Sequence, residues 1–356
     1  MSERIRIGIV GGGMISQIAH LPFYLSDSRC EVRAVAESRP SLVRHLRAAF
    51  RIDRVVDDPR ELYADPAISA VVIIAPRPAS GPLALAALQA GKDVMVEKPM
   101  AHTVAQAEQL VEAAAATKRL LGVAFMKRHD PGVRAARDEL RRLLESRELG
   151  ELMLARFYDY ARDYAHPPPP HKRPEESRAE RFETWPTAPE WLPAARAEEY
   201  AWFMNAASHD VNLMHYFLPS GLQLLHANAP GNGALTATFA HGAAPVVFEL
   251  AKSASGAWLQ GAEFVFEKGR LRVELPSPMA ADQAARVTLN ENAAQAATRD
   301  IAFESAWSFE RQARAFVGDL VERRQPLTAG ADALQDLRLI EAMWRRICNL
   351  EAQDGR

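Results

Sequence analysis

Residues 5–16 read Ile5-Arg6-Ile7-Gly8-Ile9-Val10-Gly11-Gly12-Gly13-Met14-Ile15-Ser16, an apolar strand that runs into a glycine cluster and then a helix start. A phosphate pair can lie on a helix N-terminus only where the backbone turns tightly and no side chain blocks its approach, which gives Gly11 and Gly13 a physical role. Ser16 occupies the position where glycine or alanine is usual. The stretch predicts a dinucleotide-binding strand, turn and helix, with Met14 and Ile15 at the start of that helix.

A second apolar stretch, residues 30–37, ends in an acidic residue about twenty residues beyond the glycine cluster. Glu37 therefore lies where a carboxylate accepts hydrogen bonds from the adenosine ribose hydroxyls, and Ser38 and Arg39 follow it. Arg39 is suited to lie over the adenine or to fork onto a 2′-phosphate. Glu37 favours NAD and Arg39 permits NADP, so both stay open. An ordinary strand-end acid followed by a helix-start arginine is the alternative.

The composition describes an ordinary globular chain. Its 356 residues suit two domains, 48% of them are hydrophobic, and the formal net charge is −2. Without a basic excess, no nucleic-acid partner is expected. The apolar run after residues 1–4 is too short for a signal peptide, and no apolar stretch approaches membrane-spanning length, so we expect no membrane partner and a cytoplasmic protein.

Cys30 and Cys348, the two cysteines of the chain, lie far apart without metal-ligand spacing. We therefore expect two idle thiols in a reducing compartment, with neither a disulfide framework nor a metal site.

The two parts of the sequence differ in the pattern of their apolar residues. Up to residue 125, strands alternate with alanine-rich helical segments, and residues 71–74 are continuously apolar, as in parallel strands covered on both faces. Beyond residue 126 the strands alternate apolar and polar side chains. The predicted fold class is α/β, with an N-terminal Rossmann dinucleotide-binding domain at 1–125 and a C-terminal α+β domain at 126–356 whose mostly antiparallel sheet has an open face.

A proline-rich, charge-mixed insert covers residues 161–193 and contains His166, four consecutive prolines, His171, Trp185 and Trp191. A long solvated or interface loop is the expected role, and direct contact with a substrate is the alternative. The prolines form a stiff spacer that holds the two histidine rings apart, so we expect no metal site there.

Glu97-Lys98-Pro99 follows the apolar stretch Val94-Met95-Val96, which is predicted to be a strand of the parallel sheet. The motif therefore lies at the carboxyl edge, where ligands bind in open α/β sheets. A partly desolvated lysine at such an edge can lose pKa from its free value of about 10.4 and serve in proton transfer. A solvated lysine paired with Glu97 is the alternative. Ala75 and Pro76 follow the apolar run at residues 71–74, a predicted strand that ends at the same edge.

These motifs together resemble the glucose-fructose oxidoreductase, inositol dehydrogenase and rhizopine-catabolism family over nearly the whole chain except the insert. The likeness rests on the glycine turn, Ala36-Glu37, Ala75-Pro76, the run from Ala90 to Pro99, and Ser208-His209-Asp210-Val211-Asn212-Leu213. The resemblance implies that Lys98 assists hydride transfer and that His209 supplies an acid/base group. It implies NAD or NADP as cofactor, with contacts from Gly11, Gly13, Met14, Ile15, Glu37, Ser38, Arg39, Ala75, Pro76, Glu97 and Lys98.

The chain also departs from the family pattern. Asn205 stands where relatives have an aspartate four residues before the histidine, and Ala207 stands where a glycine is usual. Under this resemblance the Asn205 amide can orient a substrate hydroxyl but cannot relay its proton, so Lys98 and His209 would carry that work. In the loop after the apolar run at residues 71–74, Arg77 and Ser80 stand where relatives often have asparagine and histidine.

Basic residues are expected beside the substrate. Lys127 and Arg128 lie in a segment where family members place such residues, and with Asn205 they are the candidate substrate-binding residues. His20 also matches a common family position, with packing at a helix end as the alternative.

The implied function is hydride transfer between a nicotinamide cofactor and a hydroxyl or ketone of a sugar, inositol or sugar derivative. His209, with a free pKa near 6.5, is expected to be the base, and Lys98 is expected to polarise the oxygen. The two side chains come from separate domains and are expected to converge on the reacting carbon.

Two alternatives stay open: a catalytically silent dinucleotide-binding regulatory protein, which Asn205 favours, and an NAD-dependent glycoside hydrolase of the same family. The open sheet face further favours a homodimer or homotetramer through the C-terminal sheet.

Overall fold

The computed structural model describes residues 4–160, 169–176, 182–253, 258–291, 297–304 and 306–350. By compactness the chain divides into two units. The first comprises Met1–Phe125, Pro168–Pro189 and Phe309–Leu337, and the second comprises Met126–Pro167, Glu190–Ser308 and Arg338–Arg356. Each unit has its own sheet.

The first sheet is formed by six parallel strands, β1 (Ile5–Val10), β2 (Cys30–Ala36), β3 (Val55–Val56), β4 (Ala70–Ile73), β5 (Asp93–Val96) and β6 (Leu121–Val123). The helices between these strands are α1 (Leu21–Ser26), α2 (Pro40–Ala49), α3 (Arg60–Ala64), α4 (Arg77–Gln89) and α5 (Val104–Thr117). A π-helical turn at Ser16–His20 directly precedes α1. The strand order is β3-β2-β1-β4-β5-β6, which reverses direction between β1 and β4. Ligands of open α/β sheets bind at the carboxyl ends of the strands at such a reversal.

Continuous apolar runs explain why these strands are central. All four residues of β4 and of β5 are buried, as the sequence predicted for strands covered on both faces. Helix α5 begins at Val104, because the Thr103 hydroxyl accepts a hydrogen bond from the Gln106 amide at 3.2 Å.

The second sheet has eight strands, β7 (Leu152–Asp159), β8 (Leu222–Asn228), β9 (Ala234–His241), β10 (Ala244–Ala251), β11 (Gln260–Phe266), β12 (Gly269–Glu274), β13 (Arg286–Glu291) and β14 (Ala297–Asp300). Its order is β14-β13-β12-β11-β7-β10-β9-β8, and every pair is antiparallel except β7 with β10. The described helices from residue 126 onward are 3₁₀ turns at Met126–His129 and Ala194–Arg196, α6 (Pro131–Ser146), α7 (Ala197–Ala206), α8 (Ser208–Phe217), α9 (Ser308–Glu322) and α10 (Gly330–Ile347).

Side chains alternate across this sheet. In β10, Val246, Phe248 and Leu250 are buried while the residues between them are not, so one face carries the core. The α/β fold with a second, mostly antiparallel, open-faced sheet is therefore confirmed.

Two segments lie in a different unit from the one that the sequence predicted. The first division falls after Phe125, where we placed the domain boundary, but residues 168–189 and 309–337 group with the first unit. For the second segment the reason is its apolar face, because Phe316 and Val317 of α9 are buried in the same core as Ile7 and Ile9 of β1. Strands β3, β8, β13 and β14 also had no counterpart in the sequence reading.

Within the part of the chain that the structure describes, no helix combines the length and the apolarity needed to cross a membrane.

Candidate active site

The glycine turn follows β1 and is shaped by the backbone of β4. Gly11 has a φ of +99°, and a Cβ on it would lie 2.2 Å from the Ile74 carbonyl oxygen. A Cβ on Gly13 would meet nothing nearer than the Arg39 guanidinium, 3.9 Å away. Gly11 is therefore required by the turn itself, whereas the space at Gly13 is open to a ligand that approaches the backbone. Met14 and Ile15 begin the helical segment after it.

Glu37 is buried at the end of β2 and bonded to the glycine turn. Its Oε2 accepts a hydrogen bond from the Gly12 amide at 2.9 Å. Arg39 donates to both carboxylate oxygens, from Nε at 2.8 Å and from a terminal nitrogen at 2.6 Å. Burial alone would raise the pKa of Glu37, but hydrogen bonds from Arg39 and Gly12 outweigh it and lower that pKa. The carboxylate is therefore held ionised beside the turn.

Arg39 therefore has a partner that the sequence reading did not give it. We expected its guanidinium to lie over an adenine or to pair with a 2′-phosphate. In the structure it forks onto Glu37, and its exposed fraction is 11%.

Glu97 organises the end of β5. Its Oε1 lies 2.8 Å from Nε2 of the fully buried His20, and its Oε2 accepts a hydrogen bond from the Lys98 amide at 3.1 Å. The Glu97 amide donates to the Ile73 carbonyl at 2.9 Å, which extends the β4–β5 ladder by one residue. The half-buried Lys98 thus leaves a fixed backbone at the carboxyl edge, and the Lys98–Pro99 peptide is cis.

Two further predicted cofactor residues lie at the same edge. Ala75 and Pro76 follow β4, and their carbonyls face the Ser80 hydroxyl at 3.3 and 3.2 Å. The first unit thus brings the glycine turn, Glu37, Ala75, Pro76, Glu97 and Lys98 to the carboxyl ends of β1, β2, β4 and β5.

In the second unit, Asn205 and His209 lie on either side of a helix junction. Helix α7 ends at Ala206 and α8 begins at Ser208, so Ala207 alone joins them. Asn205 is half-buried, whereas His209 is 8% exposed.

Next to His209 lies a buried polar cluster of Asp210, Asp159, Gln260 and Lys127. The Gln260 amide donates to Asp210 at 2.6 Å and to Asp159 at 3.1 Å. The Lys127 Nζ is 4.0 Å from the Asp210 carboxylate. Burial raises the pKa of Asp210 well above its usual range, and the adjacent Asp159 raises it further, against the opposing effect of Lys127. Asp210 therefore holds its proton more strongly than a solvated aspartic acid does.

The two basic candidates have partners in the second unit. A terminal nitrogen of Arg128 donates to the Asn212 carbonyl at 3.1 Å, and its guanidinium lies 5.1 Å from the centre of the Tyr216 ring. Lys127, besides facing Asp210, lines a pocket with Asp130, Ser277 and Trp307. Contact of Lys127, Arg128 or Asn205 with a substrate stays a prediction.

The contacts of three side chains in these sites, Asp159, Gln260 and His20, were not predicted from the sequence. Asp210 stands inside the quoted Ser208–Leu213 stretch, but Asp159 and Gln260 come from strands 50 or more residues away. The pairing of His20 with Glu97 likewise joins two separate motifs. Among the described residues, no three histidine, cysteine, aspartate or glutamate side chains come together as metal ligands.

The first unit fits a dinucleotide. A pyrophosphate needs the backbone turn at Gly11 and the open space at Gly13. An adenosine ribose needs a hydrogen-bond acceptor such as the ionised Glu37. The prediction of NAD or NADP is confirmed, because residues 5–125 match the sequence model of an oxidoreductase family described as having an NAD-binding Rossmann fold.

Curated proteins resemble part of the chain. The chain is 36% identical over 130 residues to the oxidoreductase YdgJ of Escherichia coli K12, which is 36% of this chain and 37% of that protein. It is 36% identical over 138 residues to an inositol 2-dehydrogenase of Acidothermus cellulolyticus, which is 38% of this chain and 40% of that protein. The chain thus spans less than half the length of these relatives.

Solved structures share the fold of the whole chain. An aldose-aldose oxidoreductase of Caulobacter crescentus in complex with glycerol has a TM-score of 0.75 at 19% identity, over 98% of both chains. A 3-ketoreductase of Actinomadura kijaniata in complex with NADP has a TM-score of 0.73 at 20% identity, over 97% of this chain and 98% of that one. Residues 5–125 thus match the model of the oxidoreductase family that the sequence motifs resembled, named for glucose-fructose oxidoreductase, inositol dehydrogenase and rhizopine catabolism.

Proposed function

We propose that this protein is an NAD(P)-dependent oxidoreductase that transfers hydride between the nicotinamide and a hydroxyl or ketone of a sugar, inositol or sugar derivative. The observation that carries the proposal is the carboxyl edge of the first unit, where the half-buried Lys98 follows a Glu97 held by His20 next to a dinucleotide turn. The inositol 2-dehydrogenase and aldose-aldose oxidoreductase names of relatives and structural neighbours support the substrate class.

In this proposal the bound nicotinamide takes or gives the hydride. The Lys98 ammonium donates to the substrate oxygen and stabilises its developing charge, because the Glu97 and Pro99 backbone fixes where the side chain begins. The His209 imidazole takes the hydroxyl proton during oxidation and returns it during reduction. Asn205 orients a second substrate hydroxyl, and Lys127 and Arg128 bind further oxygen atoms of the substrate.

Lys98 and His209 are tested by substitution. Lys98→Met and His209→Ala are each expected to lower kcat by about 10² to 10⁴-fold, the usual worth of one acid/base group, with little change in the dissociation constant for NADH. The exposed residues Lys268 and His226 supply matched controls, Lys268→Met and His226→Ala, which are expected to keep full turnover. Full activity of either Lys98→Met or His209→Ala would overturn the assigned role.

The reaction class is tested by following nicotinamide absorbance with a panel of sugars, inositols and aryl glycosides. A net change in absorbance with a sugar or inositol is the expected result. Glycoside cleavage without net change would make the protein a hydrolase of the same family, and dinucleotide binding without any turnover would make it a regulatory protein.

We further propose a cytoplasmic location and a homodimer or homotetramer formed through the second sheet. The unpaired state of both cysteines fits a reducing compartment. On the face of this sheet opposite its buried side chains, the paired Leu154 of β7 and Val265 of β11 are only partly buried, and a second copy would bury them further. Sedimentation of the wild type and of a Leu154→Lys, Val265→Lys double variant tests the assembly, and a wild-type monomer would exclude it.

A further inference from the structure

One stretch of the insert, residues 169–176, packs on the dinucleotide turn of the first unit. The Gln17 side chain donates to the Gly12 carbonyl at 2.8 Å and to the Lys172 carbonyl at 3.0 Å, and it accepts from the Lys172 amide at 2.8 Å. Gln17 is 4% exposed and lies in the π-helical turn after the glycines. A buried amide side chain thus ties this stretch of the insert directly to the backbone of the phosphate-binding motif.

A second stretch of the insert, residues 182–189, packs further along the same edge. The Trp185 amide donates to the Pro78 carbonyl at 2.8 Å, and the Trp185 ring lies so close to Gly81 that a Cβ there would be 2.3 Å from it. The Gln106 side chain donates to the Pro186 carbonyl at 2.9 Å.

The residues that contact the insert lie in the first or second turn of helical segments that follow strands of the parallel sheet. Gln17 follows β1, Gly81 lies in α4 after β4, and Gln106 lies in α5 after β5. Ser41, which bonds to Glu176 of the insert, lies at the start of α2 after β2. Those turns form the carboxyl edge of the sheet, where dinucleotides bind. The two described stretches of the insert therefore lie along the cofactor edge of the first unit.

The first stretch also supplies a carboxylate to the start of α2. The Ser41 amide donates to Glu176 Oε1 at 2.8 Å, and the Ser41 hydroxyl donates to Glu176 Oε2 at 2.5 Å. The Glu175 amide donates to the Ser41 hydroxyl at 3.1 Å, which completes the hydrogen bonds of that hydroxyl. Hydrogen bonding from Ser41 lowers the pKa of Glu176, so the carboxylate is charged at neutral pH.

A 2′-phosphate beside Glu37 would need the donors that lie just after β2. Phosphates bind at helix N-termini and on guanidinium groups, and here the candidates are the Ser41 amide and hydroxyl and the Arg39 guanidinium. Glu176 holds both Ser41 donors, and Glu37 holds Arg39 through both of its oxygens. The nearby Lys172 and Arg44 are paired with Glu175, at 2.6 and 3.5 Å.

We propose that Glu176 of the insert makes this protein prefer NAD over NADP, by occupying the donors at the start of α2 and placing a second carboxylate near Glu37. The inference goes beyond the proposed function by choosing one dinucleotide, and it rests on that function only in requiring that a dinucleotide binds. An adenosine ribose with a free 2′-hydroxyl can still donate to Glu37, whereas a 2′-phosphate has to displace Glu176 or lie against its charge.

The test is fluorescence titration of the purified full-length protein with NADH and with NADPH, without substrate. The wild type is expected to bind NADH at least about tenfold more tightly than NADPH, a difference of about 1.4 kcal/mol. Glu176→Ala frees both Ser41 donors and is expected to tighten NADPH binding about tenfold or more, with the NADH dissociation constant changed less than about threefold.

Two further variants separate charge from structure. Glu176→Gln removes the charge but keeps a side chain that hydrogen-bonds Ser41, and it is expected to tighten NADPH binding by less than Glu176→Ala does. Glu183→Ala is the matched control, because Glu183 is an exposed acid in the other described stretch of the insert, and it is expected to leave the ratio of the two dissociation constants unchanged.

A wild type that binds NADPH as tightly as NADH would overturn the inference, and so would a Glu176→Ala variant with an unchanged ratio. Neither result touches the proposed oxidoreductase activity. A wild type that binds neither dinucleotide would overturn the proposed function together with this inference.

Discussion

Glu37 in the first unit and Asp210 in the second are both buried, at 6% and 3% exposure, yet their pKa values move in opposite directions. Glu37 accepts hydrogen bonds from a guanidinium and from a backbone amide, and its pKa falls. At Asp210, burial and the adjacent Asp159 carboxyl raise the pKa against the opposing effects of Lys127 at 4.0 Å and of Gln260. Burial acts to raise the pKa of both acids, and the difference teaches that a guanidinium and a backbone amide can outweigh it.

Gly11→Ala is expected to disrupt the backbone of the dinucleotide turn beside Glu37 in the first unit. A Cβ at Gly11 would overlap the Ile74 carbonyl and would force a positive φ on alanine. We expect a loss of about 2 to 4 kcal/mol in unfolding free energy together with loss of NADH binding. Thermal or urea unfolding and NADH titration measure both.

Gly13→Ala is the matched control for that change. Its Cβ has open space and its φ is not positive, so we expect a stability within about 0.5 kcal/mol of the wild type. NADH binding is still expected to weaken, because the Cβ stands where the pyrophosphate approaches. Equal loss of stability in both variants would contradict the assigned roles.

Asp210→Asn sharpens the contrast in pH dependence. Since the folded-state pKa of Asp210 is raised, the folded protein holds a proton that the unfolded chain releases, and wild-type stability falls as pH rises from about 4 through the folded pKa. The slope reaches at most about 1.4 kcal/mol per pH unit. Asp210→Asn is expected to flatten this part of the profile, as measured by urea unfolding from pH 4 to 9. An unchanged slope would show that the pKa of Asp210 is not raised in the folded protein.

Glu37→Gln tests the opposite sign in the first unit. The folded-state pKa of Glu37 is lowered, so its stabilisation is present above about pH 4.3 and is lost as pH falls through the folded pKa. We expect Glu37→Gln to cost about 1 kcal/mol at pH 7, and we expect this cost to shrink as the pH falls below about 4.3. The exposed Glu61, changed to Gln, is the control and is expected to show no such difference. A cost of Glu37→Gln that stays constant across the acid range would show that the loss is not electrostatic.

Much of the fold was readable because local pattern decides it. The apolar run of β1, the glycines after it and the continuous apolar residues of β4 and β5 predicted the Rossmann domain with nearly the right strand bounds. The two-residue β3 is too short to show a periodicity, and the alternation of the edge strand β8 is interrupted between Leu224 and His226, so both strands were missed.

Residues of the candidate site could be predicted from the sequence only where they belong to a local motif. Gly11, Glu37 and Lys98 were identified by their spacing along the chain, and the structure brings them to one edge of the sheet. The partners of Arg39, Lys127 and Asp210 come from contacts that spacing does not reveal.

The sequence by itself determined which strands are parallel, where the phosphate turn lies and which family the motifs indicate, because these follow from the order of residues within short segments. The tertiary structure alone decided that α9 completes the core of the first unit, that Asp159 lies beside Asp210, and that Glu176 reaches Ser41 across 135 positions of chain. Such pairings depend on where distant segments pack, and the charge state of each acid depends on the donors that packing brings to it.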